Sequence, residues 1–208
     1  MKNAVLIGND TEFNLGIAAD LKDAGYAVSE LWADRDVDPL SADSMFDAAE
    51  GKAAADLLIV SLCGTFDDPA ATIEDPLDYE ALRTAYDYNT LGVIRAINAF
   101  LPLLEKGDGK RIAVVTTRAS SNNLTRESSG FGDHMAHAPL NMAMNQLFNG
   151  LRPEGYTFRI YARSDEDAYD PFAAEYITRN RSLDAESSKH SDENRLVMRD
   201  YMNIELPW

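Results

Sequence analysis

Apolar positions along this chain switch between two periods. Ala4 to Ile7 is a continuous apolar run that stops at Gly8, the pattern of a strand buried on both faces. Phe13, Ile17, Leu21 and Ala24 then recur at helical spacing, and Gly25 closes the pattern as a helix C-cap does. Tyr26 to Trp32 reads as a second strand, so the chain opens with a β-α-β unit whose strands are parallel and whose crossover is right-handed. A helix near Ser44 to Ala55 and a buried strand from Leu57 to Val60 follow. Asp67 to Asp78, with two prolines and several acids, is a loop. From about Tyr79 to Leu104 a long helix sets Leu82, Tyr86, Val93, Ile97, Phe100 and Leu104 on one face, with Pro102 expected to kink its last turn. Ile112 to Val115 is a strand running into Thr116 and Thr117, and Ser120 to Gly132 is a polar loop. Leu140, Met144, Leu147 and Leu151 mark a helix from about Met135 to Leu151, and Phe158 to Tyr161 is a strand. Pro171 to Arg181 reads as a helix with proline in its first turn, Ser182 to Asn194 as a polar stretch, and Leu196 to Met198 as a last strand. Strands alternating with helices predict an α/β class protein, a doubly wound parallel sheet in a single domain over residues 1–208.

The charge narrows the partners. A net charge of -16 repels nucleic acid and anionic lipid, so neither nucleic acid nor a membrane surface is expected as a partner. No apolar run approaches the roughly 20 residues of a membrane-spanning helix. The N-terminal apolar stretch is too short for a signal peptide. A single cysteine, Cys63, can form neither an internal disulfide nor a cysteine-rich zinc site, which points to a reducing, cytoplasmic setting.

Few residues carry candidate chemistry. Asp133 and His137 are four apart and share a helix face, so with Thr117 nearby they could act as acid and base. An aspartate in the first turn of a helix is also favoured by the helix dipole alone. His134 and His137 lack an evident third ligand, and no metal is expected. Asp34, Asp36 and Asp38 form an acidic loop just past the second strand.

Several strings, in order, resemble the short-chain dehydrogenase/reductase family, and within it the small C-factor-like carbonyl-reductase branch. Asp56 to Gly64 stands where that family has a strand ending Asn-Asn-Ala-Gly. Asn89-Thr90-Leu91-Gly92 matches its helical asparagine and glycine. His137-Ala138-Pro139-Leu140-Asn141-Met142 resembles the Lys-Ala-Ala-Leu-Asn-Met that follows the family's active-site tyrosine. The tail from Arg199 to Leu206-Pro207-Trp208 resembles the branch's C-terminal strand and final Leu-Pro-Trp. The resemblance implies a Rossmann-like fold and a site for NAD or NADP.

Carried over residue by residue, it also implies a damaged site. Of the glycines that let the family's first turn approach the pyrophosphate, only Gly8 stands in register; Glu12 and Asn14 occupy the next two positions, and Gly16 could serve only if the loop shifts. Phe13 could block the nicotinamide side. Asp34 matches the acid that binds the adenosine ribose, although the helix expected after that strand looks deleted. Cys63 and Gly64 fall beside the nicotinamide, Cys63 as a small core residue rather than a nucleophile. Asn89 keeps the family's asparagine, and Thr116 or Thr117, with Thr117 preferred, stands at its serine. The proton-donating tyrosine is Asp133 and the lysine four residues on is His137. An ordinary aspartate, with a pKa near 3.9, is a carboxylate at pH 7 and donates no proton. The Pro-Gly that opens the family's substrate loop is absent between Tyr161 and Pro171.

These losses together imply a degenerate member with no cofactor, acting as a non-redox binding, regulatory or structural subunit. Two alternatives stand beside it: an NAD(P)-dependent oxidoreductase with atypical residues acting on a carbonyl or alcohol, and a non-redox enzyme using Asp133 and His137 as acid and base. The resemblance further implies a homodimer or tetramer through the helices near 79–104 and 135–151, or a heteromer with an active relative. The second helix carries Met135, Met142 and Phe148 beyond the stripe one sheet can cover, which fits that assembly.

Overall fold

The computed structural model describes residues 1–33, 35–164, 168–178 and 195–208. Its centre is a seven-stranded sheet in the order β2-β1-β3-β4-β5-β6-β7. The strands are β1 (Lys2–Gly8), β2 (Tyr26–Trp32), β3 (Leu57–Ser61), β4 (Arg111–Thr117), β5 (Thr157–Arg163), β6 (Met198–Asp200) and β7 (Glu205–Leu206). All neighbours are parallel except β6 and β7, which form an antiparallel hairpin. The expected doubly wound sheet is present, with this one antiparallel edge.

Two helical layers cover it. Helices α1 (Glu12–Asp23) and α6 (Pro171–Thr178) pack on one face around Leu6, Phe13, Ile17, Ile59, Val115 and Tyr161. Helices α2 (Ala42–Ala49), α4 (Gly92–Glu105) and α5 (Phe131–Leu151) pack on the other around Ile7, Val60, Phe100, Val114, Leu140 and Met144. Strand β3 is buried along its whole length, which is why its sequence is a continuous apolar run rather than an alternation. Each such fully buried side chain contributes about 1.5–3 kcal/mol by removal from water.

Several boundaries differ from the pattern, each for a local reason. α2 begins earlier than expected, at the Ser41 N-cap whose hydroxyl accepts from the Ser44 amide, and ends at Ala49 because Gly51 turns left-handed at φ +70°. α5 begins at Phe131, not Met135. Gly130 enters at φ +70°, and the Asp67 carboxylate accepts from the Gly132 amide, supplying a cap that lies 65 residues away in sequence. The last strand is Met198–Asp200 rather than Leu196–Met198. Its end is fixed by Asp200, whose fully buried carboxylate accepts from Arg118 at 2.7 Å and from the Met202 and Ile204 amides at 3.0 Å each. α6 is described to Thr178; the rest of that expected helix and the Ser182–Asn194 stretch lie outside the described residues.

The long helix departs most. It is three pieces: α3 (Tyr79–Tyr86), a π-helical turn over Asp87–Leu91, and α4. A π turn accommodates an extra residue, which rotates the downstream face by about 100°. Leu82 and Tyr86 therefore leave the buried face, Tyr86 standing 41% exposed, while Ala85, Tyr88 and Asn89 turn inward. Phe148 also differs from expectation: it belongs to this chain's own core, edge-on to Phe158.

Candidate functional site

The C-terminal edge of the sheet is where a doubly wound fold binds ligands. Here the ends of β1, β3, β4 and β5 meet the N-terminus of α5. Beside Gly8 the chain fills the first turn with its own side chains, next to an open recess of about 470 Å³ along Thr11, Glu12, Gly16 and Tyr169. Gly8 ends β1, and a Cβ there would lie 2.7 Å from the Asn14 amide nitrogen and 2.8 Å from the Ser61 carbonyl. Asn14, 2% exposed, donates through Nδ2 to the Asn9 carbonyl at 2.9 Å and the Ser61 carbonyl at 3.4 Å. Asn9 in turn accepts from the Cys63 amide at 3.0 Å and donates to the Tyr88 hydroxyl at 2.7 Å. Asn89, buried on the inner side of the π turn, pairs both ways with Gly64, accepting from its amide and donating to its carbonyl at 2.7 Å. Phe66 packs at a tilt against Tyr88 and lies over Gly64.

What remains between Asn9, Phe13, Asn14, Ser61, Cys63 and Arg163 is a cavity of about 10 Å³, room for about one water. Phe13 is 1% exposed and stacks on Tyr161 within the α1–α6 core, so it fills the floor of this turn rather than projecting over it. Gly16 does not rescue the turn. It lies within α1, beneath the Tyr169 ring, which a Cβ would meet at 1.9 Å, and Tyr169 donates to Asp20 at 2.6 Å. Asp34 lies outside the described residues.

Beside the closed turn is a buried polar chain. His137 is fully buried, with Nε2 3.2 Å from Asp133 Oδ1 and Nδ1 3.4 Å from the Thr116 hydroxyl. The Asp133 contact is an ion-pair distance without good hydrogen-bond alignment. With the proton on Nε2, Nδ1 can accept from Thr116. Burial pushes the Asp133 carboxyl up, but contact with His137 and the nearby His134 and Arg163 outweigh it, holding the carboxyl below its usual range. Burial pushes the Cys63 thiol up against the opposing pull of Arg163, which favours the neutral thiol; the residue is half-buried and lines the small cavity.

It is Thr116, not Thr117, that reaches His137. Strand residues alternate between faces, and Thr116 shares its face with Ile112 and Val114 beneath α5, whereas Thr117 follows Ala113 and Val115 toward α1 and α6. The Thr117 hydroxyl is buried and meets no hydrogen-bond partner among the described residues. His134 turns the other way, to the Gly130 carbonyl at 2.8 Å. Among the described residues no three His, Cys, Asp or Glu side chains converge as metal ligands.

The structure thus brings together Asn89, Gly64, Cys63, Asp133, His137 and Thr116. Pattern reading missed Arg163 and Tyr169. Arg163 sits at the end of β5, where a charge closing an apolar strand was the available signal; nothing in the sequence ties Tyr169 to Gly16. Chemically, Thr116 and His137 have no surface of their own, so any proton exchange with a ligand passes through Asp133, whose side chain is 34% exposed.

No family model matches the chain. It is 30% identical to the C-signal protein of Myxococcus xanthus over 139 residues, covering 64% of this chain and 81% of C-signal. A Burkholderia multivorans protein described as a short-chain dehydrogenase/reductase, solved with bound NADP, superposes with TM-score 0.74 at 16% identity over 100% of this chain and 99% of its own. The Sniffer protein of Caenorhabditis elegans, described as a carbonyl reductase, superposes with TM-score 0.75 at 15% identity over 100% of both chains. Among the described residues no helix is long and apolar enough to cross a membrane.

Proposed function

Because the chain belongs to the short-chain dehydrogenase/reductase family, we propose that it is a pseudoenzyme of that family: a non-redox binding, regulatory or structural subunit that holds no nicotinamide cofactor. The observation that carries this reading is the first turn. Asn14 and Phe13 leave about 10 Å³ beside Gly8, and Tyr169 covers Gly16. A carboxylate at Asp133, where the resemblance puts a proton-donating tyrosine, supports it independently. A carboxylate there repels the alkoxide that develops in carbonyl reduction.

The test is thermal melting with NADPH and NADH. A ligand at 100 times its Kd adds about 2.7 kcal/mol of stability, equivalent to at least about 5 °C for a chain of this size. The expected shift at 1 mM is under 1 °C. A shift of several degrees, or a purified protein that absorbs as a nicotinamide adduct, refutes the reading and favours the oxidoreductase alternative.

A second reading has its own observation, the Thr116–His137–Asp133 chain. In it Asp133 and His137 are the acid and base of a non-redox enzyme, with Asp133 the member that reaches the surface. The assembly reading is a homodimer or tetramer, or a heteromer with an active relative. Exposed Tyr79 and Tyr86 on α3 and Met135 and Met142 on α5 support it, each pair seven residues apart and so on one helix face. The lone unpaired thiol supports a cytoplasmic setting.

A further inference from the structure

The two helices that leave large apolar side chains in water differ in charge. Over 134–151 α5 carries no aspartate, glutamate, lysine or arginine, so its exposed Met135 and Met142 can meet a second copy without like-charge repulsion. The surface of α3 and the loop before it is different. Residues 73–86 hold four carboxylates, Glu74, Asp75, Asp78 and Glu80, against one guanidinium, Arg83. Arg83 pairs with Glu80 within the helix, so the surplus is negative.

Among these acids stand apolar side chains. Ile73 is 73% exposed and Tyr79 65%. Tyr79, Arg83 and Tyr86 follow at i, i+4 and i+7, one stripe of α3 whose two rings start about 10 Å apart along the axis. The π turn after α3 rotates the helix, so Tyr86 faces water while Tyr88 and Asn89 turn inward. This surface is set before any partner arrives. Asp75 accepts from the Thr72 amide at 2.9 Å and from the Thr72 hydroxyl at 2.8 Å, which closes the turn that holds Ile73 outward. Asp78 caps α3, accepting from the Glu80 and Ala81 amides at 3.0 Å each. Anchors fixed in this way lose little freedom on binding.

We propose that this surface binds an amphipathic basic helix of a partner protein. The partner's apolar stripe lies on Ile73, Tyr79 and Tyr86, and its lysines or arginines face Glu74, Asp75 and Asp78. Exposed tyrosines are the side chains that anchor such contacts, and the carboxylates supply orientation and on-rate. A second copy placed here would set the same carboxylates against their counterparts, a repulsion that α5 does not impose. The proposal names the partner of the binding-subunit reading and rests on that reading.

Fluorescence anisotropy of the full chain with a labelled leucine–lysine peptide of about four helical turns tests it. Saturable binding of one peptide per chain is expected, weakening as salt rises. A peptide of the same composition in scrambled order, which has no apolar stripe, should bind at least about tenfold more weakly. Tyr79→Ser with Tyr86→Ser should weaken the amphipathic peptide by at least about tenfold and leave the melting temperature unchanged, since both rings are exposed. Glu74→Lys, a charge reversal at an exposed loop position, should weaken it severalfold. Absence of saturable binding at about 100 μM overturns the proposal, as do equal binding of the two peptides or binding that the tyrosine variant leaves intact. So does a wild-type dimer that the tyrosine variant turns into a monomer, because the surface then belongs to a second copy. Melting with NADPH decides the underlying reading separately: a nucleotide shift refutes the binding subunit, while the peptide titration still answers this proposal.

Discussion

Asn14→Gly is the substitution that reopens the first turn most directly, and its consequences can be worked out. Asn14 lies in the first turn of α1, where its amide donates to Thr11 Oγ1 at 3.4 Å; glycine keeps that donor. The side chain's two hydrogen bonds, to Asn9 O and Ser61 O, are lost. At about 1 kcal/mol net each this costs about 2 kcal/mol. Glycine's poorer helix propensity adds a few tenths. Against this, the Asn14 Oδ1 is itself buried with no partner among the described residues, and the Ser61 carbonyl keeps the Asn9 amide at 3.4 Å, so removing Oδ1 recovers about 1 kcal/mol. The net expectation is a loss of about 1–2 kcal/mol, or a fall of about 2–8 °C in Tm. Nucleotide binding should not appear, because the Tyr169 ring still covers Gly16. Asn14→Gly combined with Tyr169→Ser should be the first variant to show a dose-dependent thermal shift with NADPH. Differential scanning fluorimetry across an NADPH series reads both effects. If Asn14→Gly alone binds NADPH as tightly as the double variant, Tyr169 is no obstacle and the account of the closed cradle fails. If the single variant is as stable as wild type, the stitching role assigned to Asn14 is wrong.

The two threonines should respond oppositely to valine. Thr117→Val removes a buried hydroxyl that meets no partner among the described residues and is expected to be neutral or stabilising by up to about 1 kcal/mol, whereas Thr116→Val removes the His137 contact and costs about 1 kcal/mol, both read by urea denaturation. Asp133, whose carboxyl is held below its usual range, contributes stability that is present above the unfolded pKa near 3.9 and lost as pH falls through the lower folded value. Asp133→Asn should therefore be about 1 kcal/mol less stable than wild type at pH 7, a modest figure because the side chain is a third exposed, and the gap should narrow as pH falls below about 4; a gap that stays constant down through the acid range contradicts this assignment. Met135→Glu should turn an assembly of at least twice 23.0 kDa into a monomer by light scattering, and a wild-type monomer at micromolar concentration would sink the assembly proposal.

The sequence by itself determined the layers of this protein. Hydrophobic period separates β3, apolar throughout, from α1, whose Phe13, Ile17 and Leu21 repeat at helical spacing, and those periods reflect local geometry that needs no partner. The sequence also displayed the departures at Asn14, Asp133 and His137, since each is a residue type standing where the resemblance requires another. Tertiary structure alone decided how these residues meet. The π turn that swings Asn89 onto Gly64 leaves no trace in a 3.6-residue pattern except a broken phase. The cap on α5 comes from Asp67, far away in the chain. Which threonine reaches His137 depends on the strand's register against α5, a one-residue difference that reverses the face. Tyr169 closes over Gly16 through a contact between residues 153 positions apart in the numbering, and only a folded chain brings them together.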